Sequence, residues 1–206
     1  TPDGGSYHDW YVCDGNHPYY TEYLKTNYPF VTEFGNWSAP NEASLHDMLP
    51  KNEIEKWKWT PSKKSVLVHQ TIYGFRTMKG LYTYGGQFGP FNSLYNMVRY
   101  SQWGAGISNK FSIDYWRSRK PVTSGTVVWQ INDVSPNSST SIIDWFGRAK
   151  ITFYLVKRAF EPIHITLTYP KVTWKSGEQF TSDMHAISEI EKDIKNATVD
   201  FIIWGS

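Results

Sequence analysis

Hydrophobic and polar positions in this 206-residue chain fall into two textures that meet at Pro162. Before Pro162, short apolar runs with polar tips are followed by segments of helical spacing. In PFVTEFG (29–35), Pro29 stops what precedes, Phe30, Val31 and Phe34 favour extended backbone, and Gly35 ends the run. A strand with Glu33 near its tip is predicted. TVVWQIND (126–133) repeats the form, its β-branched and aromatic residues leading to Asn132 and Asp133. Helices are predicted over TEYLKTNY (21–28), over NEASLHDML (41–49) between Pro40 and Pro50, over 93–119 behind Asn92 as a cap, and over RAKITFYLVKRAF (148–160). Gly104 and Gly106 are expected to weaken the 93–119 helix in its middle. The opening PDGGSYHDWYVCDGNHPYY reads as a loop carrying aromatic rings, and 51–92 shows no decisive period.

After Pro162 the chain alternates. HITLTYPKVTW, a turn at Ser176-Gly177, EQFTSDMHAIS and VDFIIWG read as three strands of an antiparallel sandwich. Three strands cannot close a sandwich, so further sequence or another chain is expected to cover their apolar face. The earlier grammar of strand, polar tip, loop and helix belongs to an α/β barrel, in which reactive groups stand at the carboxyl ends of parallel strands. Glu33 occupies such a position. A complete barrel takes about 250 residues, and only two such units are legible, so the others are expected upstream of Thr1.

Charge and composition narrow the partners. Basic and acidic residues number 21 and 19 and are interleaved, which leaves no field for nucleic acid or an anionic membrane surface. No apolar run approaches the roughly 18 residues of a membrane span. Aromatic residues make up 17% of the chain, and indole and phenol rings suit ligands that offer C–H faces beside hydroxyl edges, as sugars do. Cys13 is the only cysteine, so no internal disulfide forms. His8, His46 and His69 lack metal-ligand spacing, and neither a metal nor a cofactor is predicted. Three glycosylation triplets begin at Asn36, Asn137 and Asn196.

Four segments carry a more specific likeness. HDWYV (8–12), TEFGNWSAP (32–40), GTVVWQINDVSP (125–136) and SIIDWFGRAKITFYLVKRAFEP (141–162), in this order and spacing, resemble the last third of the catalytic domain of the β-mannosidases of glycoside hydrolase family 2. The nucleophile motif of that family reads approximately Ser-Glu-Phe/Tyr-Gly-x-Gln-Ser-x-Pro. The likeness runs from His8 to Pro162. It implies an α/β chain in which residues 1–161 are the C-terminal portion of a (β/α)8 catalytic barrel and residues 162–206 the first strands of an immunoglobulin-like sandwich.

The resemblance further implies a retaining exo-glycosidase acting on terminal β-mannosides. Glu33 matches its nucleophile, Trp10 and Trp129 the aromatic walls of the terminal sugar subsite, and His8, Gln102, Asn132 and Asp133 further substrate-binding positions. The acid/base of the family is a Glu after Asn, far upstream of the nucleophile. Asn41-Glu42 and Asn52-Glu53 have those letters in the wrong place, and Glu42 suits the first turn of a helix. The acid is therefore expected from the remainder of the barrel, upstream of Thr1. Trp37 stands where the family usually has Gln, Thr140 where a Trp is frequent, and Cys13 where a second Trp is common. These departures keep other sugars open, as in β-galactosidases, β-glucuronidases and exo-glucosaminidases, and also a carbohydrate-binding relative without catalysis.

Overall fold

The computed structural model describes residues 17–55 and 74–202. The described elements are α1 (Tyr19–Glu22), β1 (Val31–Phe34), α2 (Glu42–Met48), α3 (Lys51–Glu55), α4 (Gly74–Gly85), α5 (Leu94–Ser118), β2 (Thr126–Val128), α6 (Ile151–Ala159), β3 (Ile163–Thr168) and β4 (Asp183–Ser188). Helix α4 lies in the stretch where the sequence shows no clear period. Its neighbour α1 stops earlier than the pattern suggests, passing into a 3-10 turn at Tyr23–Lys25. Thr26 is extended there and its hydroxyl donates to the Tyr23 carbonyl at 2.7 Å, a local bond that competes with further helix.

Helix α5 is the spine. It is capped by Ser93, whose hydroxyl accepts from the Asn96 amide at 3.1 Å. Asn92, the expected cap, instead accepts from the Asn96 side chain at 2.5 Å. The helix runs unbroken through Gly104 and Gly106, contrary to the expected weak point, because both glycines are contact surfaces. A Cβ on Gly104 would lie 2.5 Å from the Tyr84 carbonyl carbon in α4, and one on Gly106 would lie 2.5 Å from a Leu155 methyl and 3.1 Å from the Thr152 Cα in α6. Close approach of three helices offsets the cost of glycine in a helix.

Two apolar clusters flank this spine. On one side Leu45, Leu49, Ile54, Leu81, Met97 and Val98 join α2, α3 and α4 to it. On the other, Val31 and Phe34 of β1 pack with Ile113 and Trp116 of α5 and Val156 of α6, the Phe34 and Trp116 rings meeting edge to face at 4.8 Å. Burial pushes the Tyr19 phenol in this cluster far above its ordinary range, so it stays neutral.

Strands β1 and β2 are parallel neighbours, with Val31 opposite Thr126 and Phe34 opposite Val128. Three steps along β1 match two along β2, so β1 carries one extra residue. That bulge explains an otherwise odd burial pattern. Val31 and Phe34 are both sealed in one core, while Thr32 and Glu33 between them reach the surface.

Strands β3 and β4 form an antiparallel pair, Ile163 opposite Ser188 through Thr168 opposite Asp183. The polar face of β3 is the buried one. His164 and Thr166 point at Asp114 of α5, which accepts from Thr166 at 2.6 Å, lies 2.9 Å from His164 Nε2, and is ion-paired with Lys110. Ile163, Ile165 and Met184 are left about half exposed. The third predicted strand, VDFIIWG, is corrected in part: residues 199–202 are not extended into a ladder, and Phe201 stacks on Phe180 at 6.3 Å. Its last residues, 203–205, lie outside the described ones. Among the described residues no helix is long and apolar enough to cross a membrane. Of the glycosylation triplets, Asn36 is fully buried and Asn137 nearly so, whereas Asn196 is exposed.

Two measurements test this packing in a protein containing the chain. Gly104→Ala meets backbone at 2.5 Å that cannot swing aside and should cost about 1–3 kcal/mol, whereas Gly106→Ala, whose nearest contact is the mobile end of Leu155 and whose backbone contact, Thr152 Cα, is farther at 3.1 Å, should cost less; urea unfolding midpoints rank them. Asp114→Ala should cost about 2–3 kcal/mol in thermal unfolding. This is below the range for fully buried pairs because the Lys110 side chain is 26% exposed and regains water, and Asp114→Asn, which can still accept from Thr166, should cost less.

Candidate active site

Glu33 is half-buried and stands at the carboxyl end of β1. Trp129 follows the last residue of β2, its amide donating to the Phe34 carbonyl at 2.8 Å, and its side chain is 47% exposed. The strand pairing thus brings the two predicted residues to neighbouring positions on one rim. Gly35 is required there, because a Cβ at this position would overlap the Trp129 carbonyl oxygen. The Trp129–Gln130 peptide is cis. Asn132 is exposed on the same segment and donates to the Asp133 carbonyl at 3.2 Å. Trp10 and His8 lie outside the described residues.

Behind this rim the segment 36–41 is held by polar side chains of α5. Asn36 donates to the Ser108 hydroxyl at 2.6 Å, the Ala39 amide donates to Ser101 at 3.2 Å, and Gln102 donates to the Ala39 carbonyl at 3.1 Å. The other end of the Gln102 amide accepts from the Ile151 amide at 2.9 Å, which fastens the start of α6 as well. Gln102 is 1% exposed. Its amide nitrogen also donates to the Asn41 side-chain oxygen at 3.4 Å, so the whole group is engaged within the protein.

Asp133 is enclosed in the same way. It is buried, and its carboxylate accepts from the hydroxyls of Ser139 and Ser141, the latter at 2.6 Å. Asp144, equally buried, accepts from five groups: the Phe146 and Arg148 amides within its own turn, and the Asn41 amide at 3.2 Å, the Asn41 side chain at 3.4 Å and the Ser44 hydroxyl at 2.6 Å across the gap to the other loop. A backbone bond from Ser38 to the Ser139 carbonyl at 3.0 Å links the same two loops. Lys150 lies fully buried at the N-cap of α6. Burial pulls its ammonium below the ordinary lysine range, and the charges of Asp133 and Asp144 oppose that shift.

Sequence reading missed Ser44, Ser101, Ser108 and Lys150. For Lys150 there was a usable signal: a cation at the start of a helix faces the positive end of the dipole, so something else must account for it. Trp37 and Thr140, the departures from the family pattern, are both buried, at 6% and 3% exposure. Each is packed inside its own loop, 35–41 or 130–149. A cavity of about 200 Å³ lined by Trp116, Arg117, Lys120, Gly125, Phe160 and Glu189 lies at the amino end of β2, opposite Trp129. It is not part of this rim. Among the described residues no three His, Cys, Asp or Glu gather as metal ligands.

Comparison with known proteins agrees with the motif reading. No family model matches the chain. Curated relatives do: beta-mannosidase B of Thermothelomyces thermophilus is 26% identical over 170 residues, covering 80% of this chain and 20% of that protein. Beta-mannosidase B of Aspergillus clavatus is 26% identical over 176 residues, covering 84% and 20%. Among solved structures, a β-D-mannosidase from Dictyoglomus thermophilum superposes with a TM-score of 0.67 at 22% identity, over 88% of this chain and 25% of that one. An exo-chitosanase from Amycolatopsis orientalis gives 0.58 at 21% identity, over 82% and 20%. The chain spans about a fifth of the length of the curated relatives it matches. Over most of its length the chain is similar in sequence to β-mannosidases, and it shares its mixed helix-and-strand fold with solved structures of a β-mannosidase and an exo-chitosanase.

Proposed function

We propose that the chain is the nucleophile-bearing part of a retaining exo-β-glycosidase that hydrolyses terminal β-D-mannosides. In this reading residues 1–161 are the C-terminal portion of a (β/α)8 barrel and residues 162–206 open an immunoglobulin-like sandwich. The observation that carries it is the placement of Glu33 and Trp129 at the carboxyl ends of adjacent parallel strands, the end at which barrels of this class build their sites. The exposed face of Ile163, Ile165 and Met184 supports the second part, being the face a facing sheet would bury.

The chemistry follows from one carboxylate at the rim. Glu33 attacks the anomeric carbon as the bond to the departing oxygen breaks, giving a glycosyl ester. The departing oxygen takes its proton from a second carboxylic acid about 5 to 5.5 Å away, supplied by protein outside this chain. That group, now a carboxylate, removes a proton from water, which attacks the same carbon and frees Glu33. Trp129 offers its indole face to the C–H side of the sugar, with Trp10 and His8 completing the subsite and Asn132 at its edge. Gln102 and Asp133 fix the backbone behind these groups.

A second sugar has an observation in its favour. An exo-β-D-glucosaminidase shares the fold at TM-score 0.59, and Trp37 and Thr140 depart from the mannosidase pattern beside the rim. A panel of nitrophenyl β-glycosides on the full-length protein decides. The β-mannoside should turn over fastest, and turnover of the β-glucosaminide without the β-mannoside would replace the proposed substrate. In the same protein Glu33→Gln should lower kcat at least about a thousandfold with sugar binding retained. An unchanged kcat would remove Glu33 as nucleophile, and sugar binding by a wild type without turnover would identify a binding protein.

A further inference from the structure

We propose that Asp133, Asp144 and Lys150 form a charge-compensated buried clamp that sets the distance between Glu33 and Trp129, acting as positioning residues for the reaction. This rests on the reading of Glu33 as the nucleophile. The two rim residues sit at the roots of separate loops, 35–41 and 130–149. Only a short parallel ladder joins the strands beneath them. Beyond the ladder the loops are tied by Ser38 to Ser139 and by Asp144 to Asn41 and Ser44, and the far loop is closed on itself by Asp133 with Ser139 and Ser141. Both carboxylates are 1% exposed.

Their circumstances differ in a way that gives Lys150 its task. Asp144 has five donors and is solvated by protein. Asp133 has two hydroxyls and no backbone amide among its partners. Burying a carboxylate with so few donors is costly unless a countercharge lies near it. Lys150 lies beside both: its amide donates to the Ile142 carbonyl at 3.0 Å, the Asp133 amide donates to the Ile143 carbonyl at 3.3 Å, and its ammonium, with no hydrogen-bond partner among the described residues, acts through its field. The N-cap of α6 is also unfavourable for a cation. A lysine buried completely, at the wrong end of a helix dipole, with no acceptor among the described residues, is accounted for by two carboxylates that grip the loops.

The expected effects are separable from loss of structure. In the full-length enzyme, the rate at which a 2-deoxy-2-fluoro-β-mannosyl fluoride labels the Glu33 peptide, read by mass spectrometry, reports nucleophile geometry directly. Lys150→Met leaves both carboxylates uncompensated and should slow labelling at least tenfold, with KM for a nitrophenyl β-mannoside changing less than threefold. Adding Asp133→Asn removes the carboxylate that most needs the lysine, and should restore labelling at least threefold over Lys150→Met alone. Independent structural damage predicts the reverse, a double variant slower than either single one. Wild-type labelling speed in Lys150→Met, or a double variant slower than both singles, overturns the clamp. Should Lys150→Met fail to fold, Ser44→Ala, which keeps every charge and removes the 2.6 Å bond to Asp144 together with the 2.8 Å bond that Ser44 accepts from Arg148, decides: a two- to fivefold fall in kcat at unchanged KM supports the clamp, and an unchanged kcat rejects it. A wild type that turns over but is never labelled at Glu33 would instead defeat the proposed function.

Discussion

A buried helix with polar teeth is the constraint on which the other features depend. α5 is enclosed on most sides, yet Ser101, Gln102, Ser108, Asn109 and Asp114 all lie among its buried residues. Burying such groups is unfavourable unless each finds a partner, and the available partners are fixed points of other segments. Ser101, Gln102 and Ser108 hold the chain that leaves Glu33. Further along, Asp114 meets the first strand of the antiparallel pair, and Arg117 donates to the Ala159 and Glu161 carbonyls at the end of α6. Apolar packing brings these elements together without fixing register. The polar contacts favour one arrangement over the others.

The rim inherits its precision from that arrangement. An extra residue in β1 turns Val31 and Phe34 toward the same core and leaves Glu33 outside it, while the absence of a side chain at Gly35 lets the neighbouring strand end come close. Neither feature involves the carboxylate itself. A side chain at a strand end is held best when the rigid parts around it are chosen for packing, and here an apolar pair anchors one side of Glu33 and a glycine the other.

Much of this was legible in the sequence, and the failures are physical. The two strands and α2, α5 and α6 follow from apolar spacing and from the prolines that bound them, and Glu33 and Trp129 were placed by motif order. Gly104 and Gly106 were misread because helix propensity describes an isolated helix, whereas these glycines answer to α4 and α6 across the interface. For Gln102 and Asp133 motif resemblance gives identity without surroundings, and the burial of both side chains could not be read from it. The inverted face of β3 was invisible for a similar reason: alternation tells which residues share a side, and only Asp114, about fifty positions earlier in the chain, tells which side is covered.

The sealing of Asn36 bears on how such a chain can be made. Its side-chain nitrogen, the atom to which an oligosaccharide would be joined in the Asn36-Trp37-Ser38 triplet, is spent on Ser108 with no exposed surface around it. Glycan transfer in a eukaryotic secretory pathway acts on chains before they are compact. A chain modified there could not seat α5 against the segment following Glu33, and the bulky polar adduct would leave the spine unanchored. Correct maturation therefore requires that this triplet be skipped or that the chain fold where no transferase operates, whereas a sugar on the outward-facing Asn196 would be tolerated.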